Sequence, residues 1–336
     1  MRKNKYRAAV IGCGRIGSEF DSDPKRKYVS THAGAYSTIP EAGLVAVCDV
    51  DKGKSAKCAE RWKVPAVYTD VKKMLKKENL DVVSICTPPK THYQVLKEIV
   101  KWPVKAVFCE KPLAGSLEEA EKMIALCKKK RVILQVDHQR RFDSLHQELK
   151  KFIDKRKFGD IQQVNFYYTA GIGNTGSHMF DLLRMFFGDV KWIEAFDSKN
   201  KSPNSKDPNL DGMIKFKSGV LGTFQACDVK KYLMFEMNCL FEKGKVVLKN
   251  SGFDIEFFVV KDSKYFSGYK ELFKGEKTFK TGYKRNFMVN AVKHLLVCVK
   301  RKTDSVSSGY DGFKAQELIE KSLVSAKNSG KRIFLK

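Results

Sequence analysis

Residues 10–17, Val10-Ile11-Gly12-Cys13-Gly14-Arg15-Ile16-Gly17, form a GxGxxG run directly after the apolar stretch Arg7–Ile11. In such a run the first glycine permits a tight turn, the second lets backbone approach a pyrophosphate, and the third lets a helix pack closely on its strand. The amides at the helix start, from Cys13, Arg15 and Ile16 among others, then face the phosphates. The simpler alternative is a glycine-rich turn; the position between a strand and a helix argues for the dinucleotide. Asp49 closes the next apolar stretch, where a carboxylate either accepts from an adenosine ribose or caps the strand end. It lies 32 residues after Gly17, against a customary spacing of about 20. An inserted loop over Phe20–Thr31 would account for the excess. A carboxylate there repels a 2′-phosphate and favours NAD, while Lys52 and Lys54 nearby keep NADP open.

Two further stretches end in reactive residue types. Val82–Cys86 runs into Thr87-Pro88-Pro89 with His92 shortly after, and Ala106–Cys109 runs into Glu110-Lys111-Pro112. Ligands of open α/β sheets bind outside the carboxyl ends of the strands, so both termini should meet at one crevice.

The elements that must position these residues alternate strand and helix. Arg7–Ile11, Leu44–Cys48, Val82–Cys86, Ala106–Cys109 and Val132–Val136 are short runs rich in Val, Ile and Ala, the signature of strands buried on both faces. Helical patterns at Asp70–Lys77, His92–Val100 and Ser116–Lys129 lie between them, the last opening with the capping box Ser116-Leu-Glu-Glu119. Serial βα units predict a doubly wound parallel sheet. After about residue 150 the pattern changes to seven strands: Ile161–Ala170, Lys191–Asp197, Asp211–Phe216, Val220–Cys227, Phe235–Phe241, Lys245–Leu248 and Asp254–Val260. Several alternate with period two and are joined by hairpin-like turns, which predicts a mostly antiparallel sheet with one open face. Helices are expected over Arg285–Arg301 and Gly312–Ser329, and a loop over Ser198–Pro208.

At 336 residues with 43% hydrophobic content the chain suffices for two cores. The expected division is a Rossmann domain over 1–136 and a substrate-binding and oligomerisation α/β domain over 137–336, with the last helices able to pack back on the first. No apolar run reaches the roughly 20 residues of a membrane span, and the basic start lacks the apolar region of a signal peptide. A cytoplasmic location is therefore expected. Nine cysteines without a CxxC pair argue for reduced thiols and against a zinc framework. The net charge of +26 is spread over lysines along the whole chain, which reads as solvated surface and not as a specific nucleic-acid site.

Glu110-Lys111-Pro112, Thr87-Pro88 with His92, and Gln139-Arg140-Arg141-Phe142 resemble the Glu-Lys-Pro signature, the Thr-Pro…His segment and the arginine segment of the Gfo/Idh/MocA oxidoreductases. Residues 173–184 resemble that family's helical Asp-x-x-x-His-x-x-Asp motif, and the resemblance runs to the closing helix pair and final strand. It implies hydride transfer between a nicotinamide cofactor and a sugar, nucleotide sugar or inositol-like alcohol. Lys111, beside the nicotinamide, would stabilise alkoxide character or relay a proton. The family's Lys–Pro peptide is commonly cis. His178 would be the general acid/base, with Asp181, one helical turn on, holding substrate hydroxyls or orienting the imidazole. Arg141 would bind substrate or form an ion pair. Asn174 stands where many members carry aspartate, which weakens imidazolium stabilisation and leans the substrate towards an anionic sugar. The resemblance also implies a homo-oligomer, dimer or tetramer, and requires no metal. A non-catalytic, cofactor-binding regulator or scaffold is the competing expectation, since fold alone does not imply activity; the presence of both Lys111 and His178 speaks against it.

Overall fold

The structure is a computed structural model that describes residues 5–280 and 286–335. Its residues fall into two compact units, one within Met1–Asp143 and Tyr283–Lys314, the other within Ser144–Gly282 and Ala315–Lys336.

The first unit contains β1 (Tyr6–Ile11), α1 (His32–Thr38), β2 (Ala42–Cys48), α2 (Lys52–Trp62), β3 (Ala66–Tyr68), α3 (Val71–Lys77), β4 (Val82–Ile85), α4 (Pro89–Ile99), β5 (Ala106–Cys109), α5 (Leu117–Lys130) and β6 (Ile133–Val136). The strands form one sheet in the order β3-β2-β1-β4-β5-β6, and every pair in it is parallel. The order reverses between β1 and β4, which opens a crevice outside their carboxyl ends. Their apolar residues divide by alternation into two cores, one on each face of the sheet. Polar side chains set the helix starts. Thr31, Asp51, Asp70 and Ser116 each accept from an amide of the first turn, and the Ser116 hydroxyl takes the Glu119 amide at 3.2 Å as the capping box predicts. The sequence pattern did not contain β3, three residues long and only partly buried.

The second unit holds α6 (Ser144–Asp154), β7 (Ile161–Tyr168), α7 (Thr175–Phe187) and the strands β8 (Val190–Asp197), β9 (Leu210–Phe216), β10 (Leu221–Ala226), β11 (Phe235–Phe241), β12 (Gly244–Lys249), β13 (Asp254–Asp262) and β14 (Lys270–Lys280). Helix α8 (Phe287–Arg301) belongs to the first unit, and its apolar residues Met288 to Leu296 join that core. Arg285, the expected start of that helix, lies outside the described residues. Helix α9 (Gly309–Lys327) gives its residues up to Lys314 to the first unit and the rest to the second. With the short β15 (Ile333–Phe334), nine strands form a sheet in the order β14-β13-β12-β11-β7-β10-β9-β8-β15, antiparallel except for the β7–β10 pair. Leu145, Phe180 and Leu318 from α6, α7 and α9 pack against one face. Residues of β11 and β12 alternate buried and half-buried, as a sheet with one open face requires. No helix among the described residues is long and apolar enough to cross a membrane.

Candidate active site

The three glycines of the turn after β1 meet three different surroundings. Gly12 has φ +95°, and a Cβ there would lie 2.6 Å from the Cys86 carbonyl carbon, so the turn both needs a left-handed residue and presses on the end of β4. A Cβ on Gly17 would lie 2.0 Å from the Gly12 carbonyl oxygen. Around Gly14 a Cβ would meet nothing within 4 Å. That open side is the space a pyrophosphate needs, while Arg15 stands exposed next to it.

The chain then leaves the helix and returns to it. The Ser18 amide donates to Gly14 as in a helical turn and the Phe20 amide reaches five residues back to Arg15, yet the Ile16 and Gly17 carbonyls accept from His32 and Ala33 at 3.2 and 3.0 Å. In an uninterrupted helix residues 20 and 21 would make those bonds. Phe20–Thr31 is therefore looped out of the helix, and removing its twelve residues restores the customary spacing of about 20 between Gly17 and Asp49. Asp21 closes the loop by accepting from the Ser30 amide at 2.7 Å and from the Ser30 and Thr31 hydroxyls. Asp49 accepts from the Cys13 amide at 2.7 Å and the Asp51 amide at 2.9 Å. It caps the turn, and two of a carboxylate's roughly four lone-pair sites stay free for a ribose.

At the next strand ends, Pro88 caps α4 and Pro89 occupies its first position. The Thr87 hydroxyl oxygen accepts from the Thr91 hydroxyl at 2.8 Å. His92 lies inside this loop. Its ring nitrogens are 3.1 Å from the Leu113 carbonyl and 2.7 Å from the Thr87 carbonyl, and it is fully buried. It shapes the loop from within. Lys111 is half-buried, and its peptide bond to Pro112 is cis. The Glu110 carboxyl turns inward to His32 Nε2, 2.9 Å away. Arg141 is also turned inward: its guanidinium donates to the Val306 carbonyl at 2.8 Å and pairs with Asp311 at 3.1 Å. The ion-pair alternative describes these contacts of Arg141. A groove of about 1030 Å³ beside Tyr6, Trp102, Arg131 and Tyr310 lies at the opposite ends of the strands and takes no part in this site.

In the second unit, Asn174, His178 and Asp181 share helix α7. Asn174 is the N-cap, but its side chain makes no capping bond. A carboxylate from the Ser198–Pro208 loop does that work. Asp207 accepts from the Gly173 amide at 2.6 Å and the Asn174 amide at 2.8 Å, where the helix dipole favours a negative charge. Gly171, at φ +95°, leaves the room: a Cβ there would sit 2.2 Å from Asp207 Oδ2. His178 is half-buried and Asp181 buried on the same helix face.

Residues 6–138 match the Gfo/Idh/MocA model described as an oxidoreductase family with an NAD-binding Rossmann fold, and residues 169–247 match that family's C-terminal domain. The chain belongs to the Gfo/Idh/MocA oxidoreductase family. It is 28% identical over 193 residues to the uncharacterized oxidoreductase YrbE of Bacillus subtilis, covering 53% of each. It is 33% identical over 235 residues to a myo-inositol 2-dehydrogenase of Thermotoga maritima, covering 64% of this chain and 66% of that protein. The chain thus spans between about half and two thirds of the length of such curated relatives. The WlbA dehydrogenase of Bordetella pertussis, solved with NADH and UDP-GlcNAcA, superposes with a TM-score of 0.78 at 20% identity over 99% of both chains, a likeness of fold.

Within this Gfo/Idh/MocA chain, sequence reasoning missed Asp207, His32 and Asp137. Asp137 carried a usable signal, a polar residue directly after an apolar strand, as at Glu110. His32 and Asp207 carried none, because one follows a looped-out segment and the other sits in a segment readable only as a loop.

Proposed function

We propose that this chain is an NAD-dependent dehydrogenase of a secondary alcohol on a sugar, nucleotide sugar or inositol-like polyol. The observation that carries the reading is the glycine turn at the sheet's switch point. Gly14 leaves open backbone there, Asp49 stands beside it with free lone pairs, and Lys111 ends the strand next to β4. The residues fit a dinucleotide: the Gly12 and Cys13 amides are taken by the Cys48 carbonyl and Asp49, so the later amides of the turn, Gly14 to Ile16, face its phosphates. Asp49 receives its adenosine ribose, which favours NAD over NADP. When bound, the nicotinamide supplies the hydride acceptor.

The chain's own residues handle the rest. Lys111 places a cation at the alcohol oxygen as negative charge develops, and His178 takes the hydroxyl proton. Asp207 fixes the start of the helix that carries His178, and Asp181 orients the imidazole or a substrate hydroxyl. The charge of +26 supports an anionic, nucleotide-linked sugar, and the bound UDP-GlcNAcA of the Bordetella protein adds to that support. We assign the open face of the nine-stranded sheet to contacts between copies, which light scattering would read as a dimer or tetramer.

The test is absorbance at the wavelength of reduced nicotinamide, with NAD and NADP separately, against polyols, free sugars and nucleotide sugars. Reduction with one substrate class, abolished in Lys111→Ala and His178→Ala, is expected. Cofactor binding without turnover across the panel would favour the non-catalytic regulator, and no cofactor binding would overturn the assignment.

A further inference from the structure

Behind Lys111 lies a cluster of buried titratable groups that the proposed chemistry leaves unused. His32 is fully buried, Asp137 is 3% exposed and Glu110 8%. One side-chain nitrogen or oxygen from each lies within 4.8 Å of the other two. Burial lowers the His32 imidazole to about 4, so at neutral pH the ring carries one N–H.

The direction of the hydrogen bonds follows from counting protons. Tyr36 Oη is 3.0 Å from Ser84 Oγ, Ser84 Oγ is 2.9 Å from His32 Nδ1, and His32 Nε2 is 2.9 Å from Glu110 Oε1. Each hydroxyl has one proton to donate. Tyr36 donates to Ser84, Ser84 donates to Nδ1, and the ring's only N–H is left to donate to Glu110. The reverse direction would leave the buried Tyr36 hydroxyl without an acceptor among the described residues, at a real cost. Glu110 Oε2 also accepts from the Lys111 amide at 3.3 Å.

Asp137 hydrogen-bonds Glu110, and the two carboxyls differ. Burial raises both, but Asp137 is pushed well above the usual range, by burial first and then by the charge of Glu110. Asp137 therefore keeps the proton. Its Oδ1 is buried without a hydrogen-bond partner among the described residues, which suits the carbonyl oxygen of an acid better than half of a carboxylate. Lys111, Cys86, Cys109, His92, His138 and Tyr36 are other titratable groups around the trio, and the Lys111 charge acts on both carboxyls.

We propose that Glu110 is the buried counter-charge of Lys111, held ionised by His32, the Lys111 amide and a neutral, proton-donating Asp137, and that this trio fixes the protonation state from which Lys111 acts. Glu110, His32 and Asp137 are positioning residues, and the proposal rests on the reading of Lys111 as a catalytic group. The same side-chain types also bind divalent cations. Here the 2.9 Å contact between His32 and Glu110 is that of a hydrogen bond, and the donor chain accounts for every proton without an ion.

Two measurements on the full chain read this without turnover. Infrared spectra at neutral pH should show the C=O band of a protonated buried carboxyl in wild type, and Asp137→Asn should lack it. Lys111 would be titrated by NMR in protein labelled at lysine Cε, with Lys111→Arg to assign the signal. In Glu110→Gln its midpoint should fall by about one pH unit, a tenfold loss of proton affinity, while Asp137→Asn, still a donor, leaves it in place. Absence of the carboxyl band, an unmoved Lys111 midpoint in Glu110→Gln, or a stoichiometric divalent metal in the purified protein would overturn the proposal. Should Glu110→Gln fail to fold, the Asp137→Asn band still decides. Full dehydrogenase activity in Lys111→Ala would instead overturn the catalytic reading and leave both charge measurements standing.

Discussion

The glycine turn after β1 and the start of α7 are both helix entrances, and they are held in opposite ways. At the turn, the constraint is backbone: Gly17 admits no side chain because of the Gly12 carbonyl, Gly12 because of the end of β4 at Cys86, and Gly14 faces open space. At α7 the local residue does not do the work. Asn174 makes no side-chain cap, and the anion comes from Asp207, 33 residues along in a different loop. A site built from backbone tolerates change around it and not within it. A site built from a borrowed side chain fails when the lender changes.

The largest expected effect comes from Gly17→Ala. Its Cβ would meet backbone and not a flexible side chain, so the strand and helix must separate, at about 3 kcal/mol or more. Chemical denaturation measures this, and a wild-type midpoint would break the comparison at its first term. Asp207→Ala comes next. Two amides at the α7 start lose their acceptor, for about 1–2 kcal/mol of stability. Turnover should fall further than that loss implies, because His178 sits on the same helix. Unchanged turnover in a folded Asp207→Ala protein would mean that the borrowed cap has no bearing on the site.

Gly14→Ala should separate folding from binding. With nothing near the added methyl, stability should stay within about 0.5 kcal/mol, while NAD affinity falls about tenfold or more as the pyrophosphate loses its approach. Fluorescence titration reads the affinity, and undiminished binding would show that the open side of Gly14 is not the phosphate site. The smallest effect concerns pH. His32 has its folded pKa lowered to about 4 by burial, so as pH falls the unfolded chain takes up the proton first. This contribution to stability is complete above about pH 6.5 and drains away as pH falls towards 4. Glu110 and Asp137, raised in the fold, act in the opposite sense, which makes a difference measurement necessary. The stability gap between wild type and His32→Gln should narrow by about 0.5–1 kcal/mol from about pH 7.5 to pH 6. A constant gap would show that His32 keeps its ordinary pKa in the fold, and a gap that widens towards pH 6 would show it to be charged there.

Much of the first unit was legible because each signal was local. The apolar runs ending at Ile11, Cys48 and Cys109 are continuous, as strands buried on both faces must be. The looped-out Phe20–Thr31 could be inferred from one anomalous spacing. Residues Ala66–Tyr68 escaped because a three-residue edge strand has no periodicity to show. In the second unit seven of the nine strands were read, several by period-two alternation; β14 (Lys270–Lys280), rich in lysine and glutamate, was missed, as was β15, which is two residues long and pairs with β8 some 140 positions earlier.

The candidate site divides along the same line. The residue types and spacings of Gly12, Gly14, Gly17, Asp49, Lys111 and His178 were determined by the sequence itself, because backbone conformation and strand-end position are local properties. The inward turn of Arg141, the enclosure of His92, the Asp207 cap and the His32–Glu110–Asp137 trio were decided only by tertiary structure. Which partner a buried polar group takes depends on what the fold packs against it, and those partners lie from 21 to 165 residues away along the chain. The burial that forces those groups to find partners comes from the packed core as a whole.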